Sequence, residues 1–231
     1  MTLWSRLSCC RRLRSVQKLA QSRFHSSNGR QPTIFALSTA PGRSGIAVVR
    51  VSGENAVLCL QKMTSFKAET EPRKLFFTPI RHPQSRQLID RALAVWMPAP
   101  HTFTGEDSCE LHVHGGVAVV AAVLEALAAI PGNQLAEPGQ FTKRAFFNGK
   151  MDLTAVEGLS DLLAAETAAQ RRVALRQTGG ALTRLYHDWR AQLVVLMAHL
   201  EAHIDFGEEH FLDPDLPAQG CATASRLIKK C

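Results

Sequence analysis

Between His101 and Gly116 the sequence reads HTFTGEDSCELHVHGG. Three carboxylates (Glu106, Asp107, Glu110), three histidines (His101, His112, His114) and a Gly-Gly pair fall within sixteen residues. Such side chains can bind a metal, exchange protons or line a small-molecule pocket. On a strand, Glu110, His112 and His114 share one face, while Cys109, Leu111 and Val113 share the other. A Glu-x-His-x-His face offers zinc three ligands. It is also what the wet face of a half-buried strand looks like, and no fourth ligand lies nearby. Gly115-Gly116 then opens a helix whose first N–H groups suit an anion or a polar ring edge; a plain tight turn reads the same way.

Two cations outside this stretch carry chemical potential. Arg50 sits in IAVVRV, a strand apolar on both faces, so it must reach out at the strand end or meet a carboxylate. A structural salt bridge answers that need, and so does a ligand carboxylate held with bidentate geometry. Lys150, in FFNGK, lies on a turn after Gly149 and taken alone reads as solvated surface.

The elements that must position these residues follow from periodicity. TIFAL, IAVVRV, KLFFTPI, LIDRALAVWM and CELHVH read as strands, and SGENAVLCLQKM as a short helix. VAVVAAVLEALAAI is apolar on nearly all sides, which predicts a buried helix. After Pro131-Gly132 the character changes. Thr154 and Glu157 form a capping-box pair ahead of a helical run to about Gln177. Gly179-Gly180 breaks it, and ALTRLYHDWRAQLVVLMAHLEAHIDF predicts a second long helix. The expected class is α+β for the first part and all-α for the second. Two helices cannot close a core alone, so the hairpin needs further partners.

Composition narrows the partners. The 231 residues carry a net charge of +7, but residues 1–31 hold seven basic side chains and no acid, leaving twenty basic against twenty acidic residues. The body is neutral, and net charge gives no argument for nucleic-acid binding. The leader is Arg-rich, Ser-rich and acid-free, with Leu3, Leu7, Leu13 and Leu19 available for an apolar helical face. That is the composition of a mitochondrial transit peptide, with cleavage expected between Phe24 and Arg30. No apolar run approaches the ~20 residues of a membrane span. Beyond the leader, Cys59, Cys109, Cys221 and Cys231 are widely spaced and in no CxxC pair, which excludes zinc fingers. No G-x-x-x-x-G-K-[ST] occurs: Gly149-Lys150 is followed by Met151 and has Arg144 at the upstream glycine position.

Four segments, TIFALSTAPGRSGIAVVRVSG, APHTFTGEDSCELHVHGG, PGQFTKRAFFNGKMDLTAVEGLSDLLAAET and EAHIDFGEE, resemble in that order the front half of the MnmE/TrmE family of tRNA-modification GTPases. With its leader the chain is similar to the mitochondrial members, and the resemblance covers about Thr33 to Glu209. It implies an N-terminal folate-binding, aminomethyltransferase-like domain that dimerises, followed by a partial helical domain. The implied boundaries are 1–31 for the transit peptide, 32–150 for the folate domain, 151–209 for the helical part and 210–231 for a divergent tail. The implied function is carbon-5, taurinomethyl-type modification of the wobble uridine of tRNA in the mitochondrial matrix. It is carried out with a flavin-dependent MnmG/GidA-type partner and tRNA, away from membranes.

The family's folate contacts carry over onto Arg50, Glu110 and Lys150, with 5-formyl-tetrahydrofolate or a related one-carbon folate as the cofactor. No catalytic residue is assigned, and no metal is expected. The GTPase domain and the family's C-terminal Cys-x-Gly-Lys end are not found in these residues. A truncated or alternatively spliced product is therefore the expectation, with GTP, magnesium and potassium belonging to full-length members only. Two other functions stay open: a non-catalytic regulatory isoform, and a folate-dependent aminomethyltransferase-like enzyme.

Overall fold

The computed structural model describes residues 31–67, 71–206, 222, 224 and 225. The transit peptide expected at the N-terminus and nearly all of the expected tail lie outside the described residues. The chain divides between Met151 and Asp152 into two units.

The first unit is built on a six-stranded sheet of β1 (Thr33–Leu37), β2 (Ser44–Ser52), β3 (Phe76–Arg81), β4 (Leu88–Met97), β5 (Ser108–Gly115) and β6 (Asn133–Leu135). The order is β3-β4-β5-β2-β1-β6. Every pair is antiparallel except β1 with β6. Period-two alternation decides the faces. Ala47, Val49 and Val51 of β2 point into the core with Cys109, Leu111 and Val113 of β5, as do Ala92 and Ala94 of β4.

Two helices cover that face: α1 (Ala56–Met63) and α2 (Val117–Ala128). Helix α1 buries Ala56, Cys59, Leu60 and Met63, spaced so that they fall on one side. No side chain of its own caps it; the Asn55 N–H donates instead to Thr33 Oγ1 at 2.9 Å. Helix α2 departs from expectation. Only Val123, Ala126 and Leu127 are buried and Val117 is largely exposed, because the sheet covers one side of the helix. Uniform apolarity therefore did not mean uniform burial.

Gly115 closes β5 where β2 begins. A Cβ there would collide with Ser44 Oγ and stand 2.6 Å from the Ser44 carbonyl oxygen, so the strands can approach only at glycine. A further helix, α3 (Gln140–Phe147), lies in a stretch where periodicity predicts no element.

The second unit contains α4 (Leu153–Ala164), α5 (Ala168–Thr178) and α6 (Ala181–Phe206). The single run expected from Thr154 to Gln177 is thus two helices. Asp152, rather than Thr154, is the N-cap of α4, accepting from the Ala155 N–H at 2.7 Å. The capping box belongs to α5, where Thr167 and Gln170 satisfy each other's backbone donors. Gly158 lets α4 and α5 pass closely, since a Cβ would stand 2.9 Å from the Thr178 nitrogen. Among the described residues no helix is long and apolar enough to cross a membrane.

Candidate functional site

The sheet face opposite the helices carries the polar residues. Arg50 and Glu110 are register partners on the neighbouring strands β2 and β5, so both side chains rise from the same face. Arg50 Nε donates to Glu110 Oε1 at 3.0 Å, and Arg50 Nη2 reaches the same oxygen at 2.9 Å. The second carboxylate oxygen lies 3.3 Å from His112 Nε2. The Arg50 and Glu110 side chains are 32% and 18% exposed, so solvent discounts their attraction. Pairs of this kind contribute only ~0.2–1 kcal/mol to stability. The pair can therefore share its groups with an incoming ligand at little cost.

Two aromatic rings flank the guanidinium. The Phe103 ring centre lies 5.5 Å and the Phe141 ring centre 6.0 Å from Arg50 Cζ. Phe103 comes from the loop before β5 and Phe141 from the first turn of α3. The site thus combines a cation, a carboxylate acceptor and flat apolar faces. Such a set suits a planar heteroaromatic ring that has N–H donors on its edge.

Lys150 is brought to the loop that carries Phe103. Its backbone N–H donates to the Ala145 carbonyl at 2.8 Å, and its stem lies over Gly105. A Cβ at Gly105, where φ is +80°, would stand 3.1 Å from Lys150 Cε and 3.2 Å from Asn148 Cβ. Of the three expected residues, Arg50 and Glu110 touch each other directly, while Lys150 meets the neighbouring loop.

The remaining histidine is engaged elsewhere. His114 Nδ1 lies 2.8 Å from Asp90 Oδ1, and its backbone N–H donates to Asp90 Oδ2 at 2.9 Å. Burial pushes the Asp90 carboxyl up. The hydrogen bonds from the His114 backbone and ring and from the Arg91 N–H outweigh that and hold it below its ordinary value. The Glu-x-His-x-His face is therefore divided between two polar pairs. Among the described residues no three His, Cys, Asp or Glu side chains gather as a metal site. Complete burial, with the neighbouring Cys59 and Glu110, raises the Cys109 thiol well above its ordinary value, and burial raises Cys59 as well. Both stay protonated and are poor nucleophiles.

Sequence reasoning missed Phe103, Phe141, Arg144 and Asp90, and counted Glu106 among the carboxylates without its arginine partner. Arg144 is buried beside the site and paired with Glu106 at 2.8 Å. Its signal was present: an arginine directly before Ala145-Phe146-Phe147, with no acidic residue in α3 to meet it.

Comparison with known proteins bears on what such a site serves. The family model described as "GTP-binding protein TrmE N-terminus" matches residues 33–150, and the one described as "MnmE helical domain" matches residues 153–231. The chain is 50% identical over 214 residues to a Danio rerio protein named mitochondrial 5-taurinomethyluridine-[tRNA] synthase subunit GTPB3, covering 90% of this chain and 42% of the relative. It is 53% identical over 196 residues to the tRNA modification GTPase MnmE of Methylobacterium sp. (strain 4-46), covering 84% and 45%. The Homo sapiens GTPB3 protein is 50% identical over 185 residues, covering 80% of this chain and 38% of the relative. The chain spans less than half the length of each of these relatives.

Proposed function

The chain belongs to the TrmE/MnmE family of tRNA modification GTPases, and from that premise we propose that it serves tRNA wobble-uridine modification in the mitochondrial matrix. Its part is to bind a one-carbon tetrahydrofolate, of which 5-formyl-tetrahydrofolate is the first to test. The observation that carries this reading is the Arg50–Glu110 pair on the open sheet face with Phe103 and Phe141 beside it.

The residues suit that group. The pterin's amide and amino edge presents adjacent N–H donors, and the Glu110 carboxylate is an acceptor with two oxygens. Arg50 and Lys150 supply positive charge for the carbonyl oxygens and the glutamate tail. The phenyl rings of Phe103 and Phe141 offer apolar faces to the flat part of the molecule. The bound folate would supply a carbon at the formyl oxidation level. The protein's own contribution is orientation and exclusion of water. His112, beside the second Glu110 oxygen, helps to hold the carboxylate in one orientation.

The 231 residues contain no P-loop, so we assign no nucleotide chemistry to them. A homodimer, an MnmG/GidA-type partner and tRNA complete the proposed assembly; of these, tRNA is in keeping with the names of the relatives. Calorimetric titration of this chain with 5-formyl-tetrahydrofolate tests the reading. Saturable binding that Glu110→Ala weakens is the expected result, and no binding at millimolar ligand would reject it.

A further inference from the structure

Three parts of the site come from outside the sheet: Phe103 and Gly105 on the loop before β5, Phe141 on α3, and Lys150 on the turn after α3. Something must fix these pieces against β2 and β5, since loops carry no register of their own. The buried side chain of Arg144 does this. Its Nη1 donates to Glu106 Oε2 at 2.8 Å and to the Ser52 carbonyl at 3.4 Å, and its Nη2 donates to the Pro32 carbonyl at 2.6 Å. Glu106 also accepts from Ser52 Oγ at 2.8 Å, and Ser52 Oγ meets Thr104 Oγ1 at 2.7 Å. One turn further on, Asn148 Nδ2 donates to the Thr104 carbonyl at 2.7 Å.

These contacts join α3 and its following turn to the loop and to the end of β2, two residues beyond Arg50. Arg144 lies three positions after Phe141, about one helical turn away. Glu106 lies three positions after Phe103 and adjoins Gly105, on which the Lys150 stem rests. A guanidinium fork can serve a carboxylate and two carbonyls at fixed angles; an ammonium at the same place cannot reach all three.

We propose that the Arg144–Glu106 pair is the positioning device of this ligand site, holding Lys150 and the two phenyl rings in register with Arg50 and Glu110. The inference rests on the folate reading above. Arg144 touches no ligand in this account and acts through the residues it places.

The test is a double-mutant cycle on the full chain, with 5-formyl-tetrahydrofolate as the probe and at a temperature where every variant is folded. Arg144→Lys is expected to lower affinity ~10-fold and Lys150→Met ~3-fold. The double variant should lose no more than Arg144→Lys alone, because a misplaced Lys150 has already stopped contributing. Glu106→Gln, which keeps the shape of the side chain and removes its charge, should lower affinity in the same sense, and it replaces Arg144→Lys in the cycle if that variant does not fold. A lowered melting temperature with unchanged affinity, or losses that simply multiply in the double variant, would overturn the positioning role while leaving the folate reading intact. If the unmutated chain binds no 5-formyl-tetrahydrofolate, the folate reading fails and the positioning role fails with it.

Discussion

Glu110 offers one carboxylate oxygen to Arg50 and the other to His112, so the central acceptor of the site is held from both sides before any ligand arrives. Glu110→Ala should therefore weaken 5-formyl-tetrahydrofolate binding more than Lys150→Ala. Losing a charged hydrogen-bond partner costs about 1.5–3 kcal/mol, or roughly tenfold or more in affinity. Equal affinities for the unmutated protein and Glu110→Ala would remove Glu110 from the site.

Gly115 gives a prediction about folding alone. The Ser44 carbonyl that a Cβ would meet at 2.6 Å is backbone and cannot swing aside. Gly115→Ala should destabilise the first unit by about 1–3 kcal/mol, the usual cost of overpacking. Chemical denaturation of the two proteins measures this, and an unchanged midpoint would contradict it.

Asp90 sets a pH dependence. Its folded carboxyl titrates below the unfolded value of ~3.9. Its contribution to stability is thus fully present above the unfolded value and is lost as pH falls through the folded one. Asp90→Asn should flatten part of the acid limb of stability when unfolding midpoints are followed from about pH 7 down to about pH 2. An acid limb identical to that of the unmutated protein would show that the His114 contacts do not favour the charged form.

In the second unit, α6 leaves apolar side chains uncovered among the described residues. Leu185, Leu193, Val194, Val195, Met197, Leu200 and Ile204 are exposed, whereas Leu182, Trp189 and Leu196 are half-buried. Exposed surface of this size drives association. Sedimentation should show concentration-dependent self-association that Met197→Glu with Ile204→Glu reduces. A sedimentation profile unaffected by the double substitution would mean that this face is not the contact.

What could be read in the sequence followed from local rules. The apolar run in IAVVRV and the alternation in CELHVH gave two strands, and the long stretch free of glycine and proline after Gly180 gave α6 from Ala181 onward. Helix α3 was missed because it is only eight residues long and its N-cap is a glycine, Gly139, with no capping side chain. The break between α4 and α5 was missed because no glycine or proline marks it; Ala165 simply turns extended ahead of the Thr167 cap.

The candidate site was named as residue types, through the resemblance, but its geometry was not legible. Arg50 and Glu110 lie sixty positions apart, and only the register of β2 on β5 makes them neighbours. Asp90 met His114 for a similar reason, through the pairing of β4 with β5.

The parallel pairing of β1 with β6 also governs when the fold can be completed. As the chain leaves the ribosome, Thr33–Leu37 emerges about a hundred residues before the strand that borders it on its outer side. Arg50 likewise waits for Glu110, and the loop at Glu106 waits for Arg144. Contacts of such long sequence separation are closed slowly, because the loop entropy is lost before the contacts form. The candidate site therefore takes shape only near the end of folding of the first unit. A molecule that binds it selects chains whose first unit has already folded through to Lys150.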